Sequence, residues 1–220
     1  MILLGINGFK TSGKDTLAGF IAEDVATAGY VADKVAFAYR LKVYAARALG
    51  FDRPDDKLVA LMDSMKDESN ISVFYDEPDV IPSVFDTSTL HSITGREYLQ
   101  HVGNEARKVF GDTFWIDQVL PNVQPFTHDE SRAAQLKAMY PGADVLLVTD
   151  VRYPNEAQRI KLLGGWVVEV IRPGLESDGH ASETPLPREL VDWQVNNDGS
   201  LNDLKAEGEM LLDDAWIALR

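Results

Sequence analysis

The segment that most constrains this chain lies near its start: an apolar run, Ile2-Leu3-Leu4, then Gly8-Phe9-Lys10-Thr11-Ser12-Gly13-Lys14-Asp15-Thr16, then a helical pattern over residues 17–25. Strand, glycine loop and helix in that order predict an α/β fold, with a parallel sheet flanked by helices. Such a loop presents backbone N–H groups at the positive end of a helix dipole, where a polyphosphate can replace the water they would otherwise bind. Gly8 and Gly13 permit the backbone geometry, Ser12 sits in the loop between them, and Lys14 supplies a mobile cation that follows charge on the β- and γ-phosphates. Lys10 is either a second phosphate cation or a solvated loop lysine. The alternative for the whole segment is a glycine turn that binds nothing.

One position departs from the usual pattern. The Ser or Thr that normally follows the lysine and holds Mg²⁺ is Asp15 here, with Thr16 next. A carboxylate is a good hard-oxygen ligand for Mg²⁺, directly or through water, and the Thr16 hydroxyl can donate to an α-phosphate. The metal ligand is thus either Asp15 or Thr16.

Composition narrows the function. The 220 residues, 45% of them hydrophobic, suffice for one large core with a small insertion. The absence of cysteine excludes disulfides and thiolate chemistry. No apolar stretch approaches bilayer length and the start lacks a secretory pattern, so a cytoplasmic protein with no membrane partner is expected. With 21 Lys+Arg against 35 Asp+Glu, the net charge of −14 repels a nucleic-acid backbone. A small nucleotide is different, because a few convergent cations in a cleft outweigh a distant, screened surface.

Candidate cations recur along the chain. Residues 31–38 read as a strand and 40–49 as a helix with Leu41, Tyr44, Ala45 and Ala48 on one face. Arg40 and Lys42 then stand at the strand–helix junction, where a second phosphate would lie, or mark an exposed helix start. Residues 52–90 hold ten acids against three bases and no sustained periodicity, which suggests an insertion with a solvated acidic surface and no assigned chemistry. Thr94 and Glu97 form a capping box. In the helix that follows, Leu99, Val102, Ala106, Val109 and Phe110 form one stripe and Arg96, Gln100, Asn104 and Arg107 another. Two guanidiniums can grip a phosphate and two amides can read a base edge; the alternative is a solvated polar face. Trp115 either stacks on a base or packs in the core.

Residues 143–149 form an apolar strand followed by Asp150-Val151-Arg152-Tyr153-Pro154, with Pro154 in the first turn of a helix. Asp150 either orients metal-bound water or anchors Arg152 in an ion pair. After the strand at 166–171, a polar segment over about 173–188, edged by Arg172 and Arg188, is a short lid that excludes water or an ordinary loop. His180 within it is polar loop chemistry and not a zinc ligand. A last strand over 191–195 leads to Asn196-Asn197-Asp198-Gly199 and a helix capped by Ser200 with Asp203. That turn either holds an adenine edge through Asn196 and backbone groups or only connects two elements.

Together the Gly-Lys-Asp-Thr loop ending, Phe37-Ala38-Tyr39-Arg40-Leu41-Lys42, Arg96-Glu97-Tyr98-Leu99-Gln100 with Gly103 and Arg107, Asp150-Val151-Arg152-Tyr153-Pro154-Asn155-Glu156-Ala157 and Asn197-Asp198-Gly199-Ser200 resemble the phage-type deoxynucleoside monophosphate kinases of the P-loop kinase superfamily. The resemblance implies ATP- and Mg²⁺-dependent phosphoryl transfer to a deoxynucleoside monophosphate, in the host cytoplasm if the chain is phage-encoded. It also implies a small helical domain inserted into the nucleotide-binding core. The expected division is a core of 1–50 and 121–220 with a mainly helical acceptor-binding insertion over 51–120. Lys14 and Arg152 are the expected catalytic residues. ATP is expected on Gly8, Lys10, Ser12, Gly13, Lys14, Asp15, Thr16 and Asn196, and the acceptor on Arg40, Lys42, Arg96, Gln100, Asn104, Arg107 and Asp150. Phosphomevalonate and dephospho-coenzyme A kinases share similar loop endings, so the loop alone does not name the acceptor; the segment from Arg96 to Arg107 makes the stronger case. A non-catalytic nucleotide switch is a third possibility, though a guanine-reading Asn-Lys-x-Asp does not occur. Base choice, sugar choice and subunit number, one or a homodimer, stay open.

Overall fold

The first strand, β1 (Ile2–Asn7), is buried at every position, as a strand covered on both faces must be. The computed structural model describes residues 1–68, 71–74, 90–125, 128–175 and 184–218. After β1 come the glycine loop and helix α1 (Lys14–Thr27), then β2 (Ala32–Val35). Helices α2 (Phe37–Ala48) and α3 (Asp55–Ser64), the antiparallel pair β3 (Ile71–Phe74) and β4 (Leu90–Ile93), and helix α4 (Gly95–Phe110) follow. The chain continues through α5 (Phe114–Asp117), α6 (Asp129–Met139), β5 (Val145–Val148), α7 (Pro154–Leu162), β6 (Trp166–Ile171), β7 (Trp193–Asn196) and α8 (Leu201–Ala218).

Five strands form a parallel sheet in the order β2-β5-β1-β6-β7. The central strand sets Ile2 opposite Val145 on one side and Leu4 opposite Trp166 on the other. Leu17, Ile21 and Val25 of α1 and Leu204, Leu211 and Leu212 of α8 pack with Leu4 and Ile6 in one core cluster. Ile116, Leu120, Leu136 and Ile160 pack with Leu3, Leu146 and Val148 in another. Each fully buried Leu or Ile contributes roughly 1.5–3 kcal/mol of burial free energy. The sheet therefore fixes the carboxyl ends of its strands, and with them the loops that carry the candidate chemistry.

The chain divides into two compact units, Met1–Phe37 with Trp115–Arg220, and Ala38–Phe114. The sequence suggested divisions at 50/51 and 120/121. The difference arises because Val43, Ala45 and Ala46 of α2 are buried with Leu58, Met62 and Leu99, in a core local to the second unit. Trp115 is buried in the first unit, in the packing role the sequence allowed for it.

Several local expectations require correction. The second strand is shorter than expected, Ala32–Val35, and α2 begins at Phe37, so Arg40 and Lys42 stand within a helix and not at a junction. Of the residues expected to share one face of α2, Ala45 is buried while Tyr44 and Ala48 are exposed. Residues 52–90 are not patternless: α3 buries Leu58 and Met62, one helical turn apart, against α2. In α4 the capping box forms as expected, with Glu97 N–H donating to Thr94 Oγ1 at 3.2 Å and Thr94 N–H donating to Glu97 at 2.8 Å. Its buried line, however, is Gly95, Leu99 and Gly103, while Val109 and Phe110 are 70% and 66% exposed. Phe110 instead stacks on Phe114, ring centroids 4.9 Å apart.

A candidate phosphate-binding site

The loop after β1 owes its shape to three positive φ angles. Gly8 has φ 145°, Thr11 φ 63° and Gly13 φ 105°. Gly8 and Gly13 both exclude a side chain: a Cβ on Gly8 would stand 2.6 Å from Val170 O and one on Gly13 2.4 Å from Asn197 Nδ2, each on a backbone with positive φ. From Gly13 the chain enters α1, whose first backbone bond runs from Leu17 N–H to Gly13 C=O at 2.9 Å. Lys14, in the first turn, donates through Nζ to the carbonyls of Gly8 and Phe9 at 2.7 and 2.6 Å, which holds its ammonium against the loop. Asp15 and Thr16 follow it, both exposed, in the turn where the helix dipole favours anions. Ser12 is buried and its Oγ has no hydrogen-bond partner among the described residues. An orphan hydroxyl inside a loop rich in N–H donors suits a ligand bearing many acceptor oxygens.

Neighbouring strand ends brace this loop. Asn197, just past β7, donates through Nδ2 to Ser12 C=O at 2.7 Å, and its own N–H donates to Ile171 C=O at 2.7 Å. Arg172, just past β6, donates to Thr11 C=O at 3.3 Å. On the other side of β1, buried Asn7 donates through Nδ2 to Val151 C=O at 2.8 Å, and Val151 N–H donates to Ile6 C=O at 3.2 Å. The segment from Asp150 to Arg152 is thereby tied alongside the carboxyl end of β1, next to the loop. Asp150 Oδ1 accepts from Phe37 N–H at 2.7 Å. That bond caps the start of α2, a structural use that neither sequence reading of this carboxylate included. Buried Glu156 accepts from the N–H groups of Arg152 and Tyr153 at 2.7 and 3.0 Å, fixing the backbone that carries Arg152.

The first unit thus gathers Gly8, Lys10, Ser12, Gly13, Lys14, Asp15 and Thr16 in the loop, with Asp150 and Arg152 tied to the next strand end. Asn196 does not join them as expected: it is exposed, and the adjacent Asn197 is the residue that reaches the loop. Period-two alternation carries the signal, since Val195 is buried and position 197 would share its side. Asn7 was also missed, although an amide ending an otherwise apolar strand marks it. Arg188 donates to Val191 C=O within its own turn at 2.8 Å. The central part of the expected lid, residues 176–183 including His180, lies outside the described residues.

The second unit carries the remaining candidates. Arg40 pairs with Asp55 at 3.7 Å, Lys42 with Asp63 at 2.9 Å and Arg96 with Asp67 at 2.9 Å. Asp55, Asp63 and Asp67 therefore neutralise cations of α2 and α4 instead of standing only in solvent. Burial alone would raise the Asp63 carboxyl, but its hydrogen bonds and charge contacts with Lys66 and Lys42 hold it below the usual carboxylate range. A Cβ at Gly103 would lie 3.7 Å from Arg107 Nη1 and 3.3 Å from Leu41 Cδ2, so the Arg107 side chain comes close to the bare helix surface at Gly103. Gln100 is half-buried and Asn104 exposed on the same helix.

A family model for deoxynucleotide monophosphate kinase matches residues 114–207, a span that includes Asp150, Arg152, Arg172 and Asn197. Deoxynucleotide monophosphate kinase of Escherichia phage RB69 is 27% identical over 255 residues, covering 96% of this chain and all of that protein. The chain is thus similar to deoxynucleotide monophosphate kinases of phages. A putative deoxynucleotide monophosphate kinase of Acanthamoeba polyphaga mimivirus is 28% identical over 189 residues, covering 84% of this chain and 82% of that one. Among solved structures, a dephospho-CoA kinase from Campylobacter jejuni aligns over 96% of both chains at 13% identity with a TM-score of 0.39, too loose a likeness to carry an argument. No helix among the described residues is long and apolar enough to cross a membrane.

Proposed function

We propose that this chain is a phosphotransferase that moves the γ-phosphoryl group of ATP to a deoxynucleoside monophosphate, giving the diphosphate. The observation that carries the reading is the loop from Gly8 to Thr16, turned by left-handed Gly13 into the first turn of α1 with Lys14 held against it. Its backbone donors and the α1 dipole hold the polyphosphate, and Lys14 leaves the Gly8 and Phe9 carbonyls to accompany charge on the transferred group. Arg152, beside the loop, adds positive charge to the same group. In the second unit Arg40, Lys42, Arg96 and Arg107 recruit the acceptor's phosphate, and Gln100 and Asn104 meet its base.

The acceptor oxygen is already anionic, so positioning and cations suffice and no general base is needed. Mg²⁺ would be held by Asp15 or Thr16 with phosphate oxygens and water, and it supplies shielding of charge between the β- and γ-phosphates. No group of three or more His, Asp or Glu gathers among the described residues, which suits an ion that keeps most of its waters. The kinship with phage kinases supports a small-nucleotide substrate and a setting in the host cytoplasm.

The test is a panel of deoxynucleoside and ribonucleoside monophosphates incubated with ATP and Mg²⁺ and scored for ADP and the matching diphosphate. Formation of at least one deoxynucleoside diphosphate is expected. Phosphorylation of dephospho-coenzyme A or phosphomevalonate with every nucleotide untouched would replace the acceptor assignment. Failure to bind ATP at all would remove the donor assignment as well.

A further inference from the structure

We infer that Asn197 is a positioning residue for the phosphate loop, aiming the peptide between Ser12 and Gly13 so that its N–H faces the bound polyphosphate. The inference rests on the reading of residues 8–16 as a phosphate site and adds a residue outside that loop. In a trans peptide the carbonyl of one residue and the N–H of the next point in opposite directions. Asn197 Nδ2 draws the Ser12 carbonyl to itself at 2.7 Å. The Gly13 N–H of the same peptide is thereby turned away from Asn197, and it meets no acceptor among the described residues.

The amide is itself held in place. Asn197 N–H donates to Ile171 C=O at 2.7 Å, extending the β6–β7 ladder by one step and anchoring the residue to the sheet. Its contact with the loop is tight, since a Cβ on Gly13 would stand only 2.4 Å from Nδ2. The Ser12 carbonyl would otherwise be free to turn toward the ligand, where its partial negative charge would oppose a phosphate oxygen. Asn197 thus replaces a repulsive carbonyl with an attractive N–H at that point. It does so through phosphate geometry, with no reference to the base of the donor nucleotide. This distinguishes it from the role of adenine reader that the same turn suggested in sequence.

Two variants test this by calorimetry with three probes: ATP, GTP and inorganic tripolyphosphate, each with Mg²⁺. Asn197→Ala removes the donor, and Asn197→Asp keeps the size but turns the donor into an acceptor. Asn197→Ala is expected to weaken all three probes by a similar factor, about tenfold for one lost positioning bond. Asn197→Asp should weaken them further, because it adds an anion beside the loop. In steady state the KM for ATP should rise while the KM for the monophosphate stays within about twofold. Circular dichroism establishes that each variant is folded, and the near-isosteric Asp variant serves if Ala does not fold. Unchanged tripolyphosphate affinity in a folded variant overturns the inference, as does a loss confined to ATP. If the wild-type protein ignores all three probes, the phosphate-site reading itself falls.

Discussion

Replacing Gly95 by alanine sets two effects of opposite sign against each other at the start of α4. Alanine is the better helix former, by about 1 kcal/mol in a helix interior. Yet a Cβ on Gly95 would lie 2.5 Å from Met65 O, 2.8 Å from Met65 C and 3.1 Å from Lys66 N. All three are backbone atoms, so no side-chain rotation relieves the contact. Forcing one methyl into such a place costs typically 1–3 kcal/mol. The movement that relieves it also weakens two bonds, Gly95 N–H to Met65 C=O at 3.2 Å and Arg96 N–H to Lys66 C=O at 2.9 Å. Each is worth about 1 kcal/mol. The contact wins, and Gly95→Ala should destabilise the second unit by about 2–4 kcal/mol.

Gly19→Ala, the same chemical change within α1, is the control, because its Cβ would meet nothing within 4 Å. It should stabilise by about 0.5–1 kcal/mol. Urea unfolding followed by circular dichroism gives both shifts, and amide exchange at α4 localises the loss to the second unit. A Gly95→Ala protein as stable as wild type, with Gly19→Ala behaving as expected, would refute the close approach of Met65 on which the figure depends.

Lys14→Ala should lower turnover by a hundredfold or more, by roughly the measure of a lost transition-state donor, while the melting temperature changes little; coupled ADP-release kinetics and thermal unfolding check it. Glu156→Ala strips the acceptor from the N–H groups of Arg152 and Tyr153 and should cost about 1–3 kcal/mol of stability along with turnover. Glu156→Gln, which keeps one acceptor oxygen, should lose less of both, and an Ala variant with full activity would separate Glu156 from the placing of Arg152. Because the folded Asp63 carboxyl titrates below its ordinary value of about 4, its contribution is complete above that pH and is lost as pH falls through the lowered value. Urea midpoints measured from pH 5 to 3 should therefore fall less steeply in Asp63→Asn than in wild type; parallel slopes would count against its pairing with Lys42 and Lys66.

The glycine loop and its flanking elements were legible because their constraints are local: apolar strand, left-handed glycines, dipole and lysine all act within residues 2–27. The capping boxes at Thr94 and Ser200 were legible for the same reason. What escaped depended on partners far away in sequence. Asn197 means nothing beside Asn196 until β7 brings it to Ser12, and Asn7 becomes a brace only when residue 151 arrives. The helix α3 was hidden because its buried residues are few, Leu58 and Met62 among many charges, and its carboxylates Asp55 and Asp63 find partners in Arg40, Arg47 and Lys42 of α2, which no local pattern reveals. Tyr44 and Phe110 belong to apolar stripes yet are exposed, because an apolar side chain need not be a buried one.

The sheet order also has a consequence for how the chain assembles. The central strand β1 closes its ladders only on β5 and β6, so Ile2 waits for Val145 and Leu4 for Trp166. Contacts so distant pay their loop-closure entropy before they return anything. Residues 38–114, whose core is internal to that stretch, are free to organise while β1 is still unpaired. During synthesis the glycine loop should therefore mature late, once most of the polypeptide has left the ribosome.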